Sequence, residues 1–91
     1  MAKVRAHVWI WGDVQGVFFR STARDIANAY GITGWIRNRP DGSVEAVFEG
    51  EQSDVQGMVE WCHQGPPRAD VERVDVDWLP YTGEFTYFSA C

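Results

Sequence analysis

A chain of 91 residues with 45% hydrophobic residues and a formal net charge of −5 has room for one domain with one core. That composition excludes a disordered polypeptide. The acidic balance disfavours nucleic acid and anionic membranes as partners, but not a small anionic ligand, which responds to local charge.

Val4 to Trp11 alternates, with Ala6, Val8 and Ile10 on one face and His7, Trp9 and Trp11 on the other, as a strand requires. The glycine-rich stretch GDVQGVFFR, Gly12 to Arg20, follows. From Phe19 to Tyr30 the apolar residues Phe19, Ala23, Ile26, Ala27 and Tyr30 recur at helical spacing, and Gly31 is a plausible stop. Gly34 to Arg39 reads as a second strand. The turn RPDG leads into a third over Ser43 to Glu49, with Val44, Ala46 and Phe48 on one face, so the two form a hairpin. A second helix starts within the polar stretch Gly50 to Asp54, with Ser53 or Asp54 as its cap. Its apolar stripe is Val55, Met58, Val59 and Cys62, and GPP, Gly65 to Pro67, ends it. Val71 to Leu79 alternates again, and Glu84 to Ser89 is a short final strand.

This order, β-α-β-β-α-β plus a terminal strand, predicts an α+β fold. The expected form is a ferredoxin-like (βαββαβ) sandwich, an antiparallel sheet with two helices on one face and a short extra C-terminal strand. Ala6, Val8, Ile10, Ile36, Val44, Ala46 and Phe48 are expected to point at the helices. The tryptophans of the other face are expected to pack under the terminal strand, the hairpin or the chain ends. The acidic pairs Glu49/Glu51 and Asp75/Asp77 read as solvated edges.

Cys62 and Cys91 lack the spacing of a metal site and are expected to be free thiols. MAKVRAHVWIWG has no apolar run long enough for a signal peptide or a membrane span, so a cytoplasmic protein is expected. Aromatics on the sheet face invite comparison with single-stranded RNA readers, but the third strand, SVEAVFEG, puts Glu45 and Glu49 where such domains need basic and aromatic residues.

A loop that enters a helix with glycines can aim successive backbone N–H groups into one concavity, where the helix dipole also favours an oxyanion. Arg20 could add a bidentate, always-charged clamp. Spacing alone favours an ordinary strand-to-helix turn and a solvated arginine. Asn38 can orient a water, having donors and an acceptor, or can serve the RPDG turn.

GDVQGVFFR resembles the signature loop of the acylphosphatases. The block GWIRN with Gly42, Val44 and Gly50 resembles their second signature, and GPPRADV resembles their region after the second helix. The resemblance spans essentially the whole chain, 1–91, as a single domain. It implies hydrolysis of acyl phosphates to a carboxylate and inorganic phosphate, with no metal and no cofactor. It implies that Arg20 binds the phosphoryl group. Backbone amides of Gln15, Gly16, Val17, Phe18 and Phe19 would complete the cradle within the Gly12–Arg20 loop, and Asn38 would orient the attacking water. The expected partners are a small-molecule acyl phosphate and inorganic phosphate, as product and competitive inhibitor, with no nucleic acid, no membrane and a monomeric chain. A phosphate-binding module without turnover is the other class of function open to such a domain. Two positions depart from the family. Asp13 stands where a basic or neutral residue is common, and Ala23 where a hydroxyl often is, with Thr22 one residue early.

Overall fold

The alternating segment at the start of the chain is strand β1, Lys3–Asp13, in the structure, a computed structural model that describes residues 2–91. Ala6, Val8 and Ile10 are fully buried, and His7, Trp9 and Trp11 are half-buried on the other face. Helix α1 runs Phe19–Ala29, strand β2 Thr33–Asn38, strand β3 Val44–Glu51, helix α2 Gln52–Gln64, strand β4 Asp70–Leu79 and strand β5 Phe88–Ala90.

The strand order is β4-β1-β3-β2-β5. The first four strands are antiparallel neighbours, and β5 adds to β2 in parallel. Between β1 and β3 the register places Ala6 opposite Phe48, Val8 opposite Ala46 and Ile10 opposite Val44. One face of the sheet is therefore continuously apolar. The two helices lay Phe19, Ala23, Ala27, Val55, Met58, Val59 and Cys62 into that face, forming one core. This is the expected βαββαβ arrangement.

Local differences from the expected elements have identifiable causes. Tyr30 ends the apolar pattern of α1 yet is 64% exposed. It is the C-cap, and Gly31 turns the chain at φ 71° so that Ile32 enters the core instead. The N–H of Ile32 donates to the Ala27 carbonyl (2.8 Å) and that of Gly31 to Asn28 (3.3 Å), the paired bonds of a Schellman ending. Helix α2 begins at Gln52, before Ser53 and Asp54, and no side chain caps it. Strand β3 passes straight into the helix, and the N–H of Gln52 finds the carbonyl of Ala2 at 3.0 Å. Strand β5 covers only Phe88–Ala90; further back, Thr82, Gly83 and Glu84 lie against Arg5 of β1 and Glu49 of β3. Its Phe88 stacks on Phe48, ring centroids 5.4 Å apart, and closes the core beside α1.

Glu49 is not a solvated edge residue. Its side chain has no exposed surface. One carboxylate oxygen accepts from the Thr82 N–H and Thr82 hydroxyl, both at 2.9 Å, and from Arg5 at 3.1 Å; the other accepts from the Gly83 N–H at 3.1 Å. Burial alone would push its pKa up, but these donors outweigh it and hold the carboxyl below its ordinary value. A depressed pKa stabilises the fold above the ordinary carboxyl value of 4.5, and that contribution is lost as pH falls through the lower folded-state value. Glu49→Ala, which leaves Arg5 and two N–H groups facing a void, is expected to cost about 3 kcal/mol in urea melts at neutral pH. Glu49→Gln should show a shallower loss of stability on acidification than the parent chain.

The tryptophans of the outer face are covered by side chains of the sheet itself more than by the terminal strand. Trp9 stacks on His7 at 4.0 Å, Arg37 lies over Trp35 at 5.4 Å and Arg73 over Trp11 at 4.4 Å. Glu45 links the layer, accepting from Arg37 (2.8 Å) and meeting His7 Nε2 at 2.6 Å. Both cysteines are free thiols, Cys62 buried and Cys91 exposed. No helix among the described residues is long and apolar enough to cross a membrane.

Candidate active site

The two glycines of the loop after β1 serve different ends. Gly12 sits at a register shift of the β1–β4 ladder with φ 131°. A Cβ there would lie 2.2 Å from the Asp70 carbonyl oxygen and 2.9 Å from the Glu72 nitrogen. Gly12 therefore lets β4 close on β1; it does not open space for an anion. Gly12→Ala is expected to destabilise the fold by about 3 kcal/mol or more, read as a lowered urea midpoint, since backbone on both sides must move. Gly16 is different. Nothing lies within 4 Å of a Cβ at that position, and its φ of 72° is what calls for glycine.

The turn ends at Phe18, a left-handed non-glycine residue at φ 65°, ψ 23° and the N-cap of α1. Such a conformation costs on the order of 1–2 kcal/mol outside glycine. Its carbonyl receives the Thr22 N–H at 3.1 Å and the Ser21 hydroxyl at 3.3 Å, which start the helix and hold the loop. No side chain caps the first N–H groups of α1. Four amides at a helix start lack intrahelical acceptors, and together with the dipole they attract an anion.

An open cavity of about 410 Å³ lies at this helix start, walled by Gly16, Phe18, Phe19, Arg20 and Asn38, with Val14, Ser21, Arg24 and Ala90 completing it. The structure thus brings together Arg20 from α1 and Asn38 from the end of β2. Gln15 and Val17 do not line the cavity with the rest. The Gln15 side-chain amide donates to the carbonyls of Arg39 (2.8 Å) and Ser43 (2.9 Å), tying the loop to the β2–β3 turn that immediately follows Asn38. Val17 packs against the core. The turn itself is closed by Arg39 N–H to Ser43 (2.8 Å), Gly42 N–H to Arg39 (3.1 Å) and the Asp41 carboxylate on Ser43. Among the described residues, none of these bonds comes from the Asn38 side chain.

Arg20 donates to the Cys91 carbonyl, which holds its guanidinium near the cavity wall formed by Ala90. Asp13 is exposed and pairs with Asp70 on the β4 side, so it is not part of the cavity wall. Ala23 is fully buried in the core. A hydroxyl at that position would be desolvated, whereas Ser21 brings one to the cavity. The structure adds Ser21 and Arg24 to the wall, neither of them a candidate site residue from the sequence. The signal for Arg24 was its spacing, one helical turn after Arg20. Among the described residues there is no group of three or more His, Cys, Asp or Glu placed to hold a metal ion.

The sequence profile of the acylphosphatases matches residues 6–90. An acylphosphatase of Pelotomaculum thermopropionicum is 59% identical over 88 residues, covering 97% of this chain and 96% of that protein. One from Roseiflexus sp. is 58% identical over 89 residues, covering 98% and 96%. Among solved structures, an acylphosphatase from Coxiella burnetii superposes with a TM-score of 0.92 at 35% identity, covering 98% of this chain and 93% of that one. The chain belongs to the acylphosphatase family.

Proposed function

We propose that the protein hydrolyses acyl phosphates at this cavity, releasing a carboxylate and inorganic phosphate. The observation that carries the reading is the convergence of Arg20, Asn38 and an uncapped helix start on one open cavity. In this reading Arg20 and the loop amides of residues 15–19 bind the phosphoryl oxygens, and Asn38 orients a water in line with the bond to be broken. The water oxygen forms a bond to phosphorus while the bond from phosphorus to the acyl oxygen breaks. The bonding pair leaves with the carboxylate, and the proton of the water passes to a phosphate oxygen.

The residue types suit that chemistry. Phosphoryl transfer of this kind depends on positioning and charge stabilisation more than on covalent help. A carboxylate is already a good leaving group, so no strong general acid is needed. That accounts for a cavity wall without a His, Cys or carboxylate. The mechanism asks for no metal. The test is phosphate release from benzoyl phosphate by the purified protein in excess EDTA. Sustained turnover with competitive inhibition by inorganic phosphate is the expected result. A folded protein that binds phosphate but releases none from benzoyl phosphate would instead be a binding module.

A further inference from the structure

The two halves of the cavity sit on strands that do not touch. Strand β3 lies between β1 and β2, so the loop after β1 and the end of β2 are two interstrand spacings apart, about 10 Å. Arg20 comes with the loop and α1, and Asn38 with β2. Asn38 is exposed, and among the described residues its side chain is not one of the partners that hold the loop or the turn. Its placement is therefore that of the backbone carrying it. The Gln15 side chain spans the gap. Its amide nitrogen has two hydrogens to donate, and it donates to the Arg39 carbonyl at 2.8 Å and the Ser43 carbonyl at 2.9 Å. Arg39 follows Asn38 directly, and Ser43 precedes Val44, the β3 partner of Asn38. The two bonds thus grip the neck of the β2–β3 turn beside Asn38.

The turn does not need Gln15 for its own closure. The Arg39 carbonyl already accepts from the Gly42 N–H (3.1 Å), and the Ser43 carbonyl from the Arg39 N–H (2.8 Å). The Asp41 carboxylate accepts from the Ser43 N–H at 2.9 Å and braces the turn from within. What Gln15 adds is a direct link from the loop to the turn. We infer that Gln15 is a positioning residue of the hydrolysis: its side-chain amide sets Asn38 relative to the phosphoryl cradle, and so governs kcat while leaving phosphate affinity alone. The cradle of Arg20 and loop amides lies on one side of the link, and the Asn38 amide on the other. A water held out of line reacts more slowly, and a misplacement of about 1 Å can cost about 10²-fold. The inference rests on the hydrolase reading and deepens it.

The test is a double-mutant cycle on kcat for benzoyl phosphate, with inhibition by inorganic phosphate measured on every variant. Gln15→Met keeps the length of the side chain and removes its donors. Each carbonyl retains its backbone donor, so the fold should stand. Gln15→Glu is the second variant, close in shape, and turns a carboxylate toward the two carbonyls. Either change should lower kcat about tenfold, with phosphate inhibition held within about twofold of the parent. In the Asn38→Ala background the same change should lower kcat by less than about twofold, because the group being positioned is gone. A merely structural tie would cost the same in both backgrounds. A full tenfold loss on top of Asn38→Ala, at about the size seen in the parent, therefore overturns the inference. So does an unchanged kcat in both Gln15 variants, or phosphate inhibition that weakens in step with kcat. An Asn38→Ala chain with the parent kcat removes the group that Gln15 would position, and this inference with it, while hydrolysis stands. No turnover of benzoyl phosphate by the folded parent chain sinks the hydrolase reading itself.

Discussion

Arg20→Ala is expected to lower kcat/KM for benzoyl phosphate by about 10³-fold or more, the scale on which a phosphoryl-binding arginine acts. The same variant should lose competition by inorganic phosphate. The reason is geometric as well as electrostatic. A guanidinium presents paired donors to phosphate oxygens and is charged at every working pH. Here it also stands beside an uncapped helix start, so two positive sources would act on an anion bound in the cavity. The stability cost should be small. Arg20 is partly exposed and its contact is a hydrogen bond to the Cys91 carbonyl, a type worth about 1 kcal/mol or less at the surface. A native circular dichroism spectrum therefore separates lost binding from lost folding. Phosphate inhibition at the original affinity in Arg20→Ala would remove the clamp assignment.

Asn38→Ala should separate binding from chemistry. The expected outcome is a fall in kcat of about 10²–10³-fold with phosphate affinity held within a factor of about two. Asn38 lies at the end of β2, backbone-paired to Val44, and is exposed. Removing its amide leaves no buried group unpartnered, and the adjacent turn keeps the bonds made by Arg39, Gly42 and Asp41. The position of the amide relative to Arg20 depends on the Gln15 tie between loop and turn. An unchanged kcat would take Asn38 out of the mechanism. A parallel loss of phosphate affinity would make it a binding residue instead.

The strands and the core were legible because burial on one face imposes a period. Ala6, Val8 and Ile10 alternate with half-buried partners, and each is fully buried. The stripe Val55, Met58, Val59 and Cys62 announced α2 in the same way. The limits of elements were less legible where a distant segment decides them. The start of α2 depends on the Ala2 carbonyl, and β5 on where the preceding residues leave the outer face. Glu49 occupies a polar position of an alternating strand, and only the arrival of Thr82 and Gly83 turns it into a buried anchor. Gly12 looked like part of an anion loop, but its need is set by β4, far along the chain.

The candidate site was readable in outline because its parts lie in two short stretches, around Arg20 and around Asn38. What the sequence could not give is that the hairpin end reaches the loop, a consequence of β3 and β1 pairing in the register described above. Arg24 was hidden for a plainer reason. Its one signal, the four-residue step from Arg20, gains meaning only once Arg20 and the cavity are placed.

The measurement closest to the central claim is hydrolysis of benzoyl phosphate in water enriched in heavy oxygen, with EDTA present, followed by mass analysis of both products. Attack of an oriented water on phosphorus puts the label in inorganic phosphate and leaves benzoate unlabelled. Label in benzoate would mean attack at the carbonyl carbon, and would contradict the roles given to Arg20, Asn38 and the loop between β1 and α1.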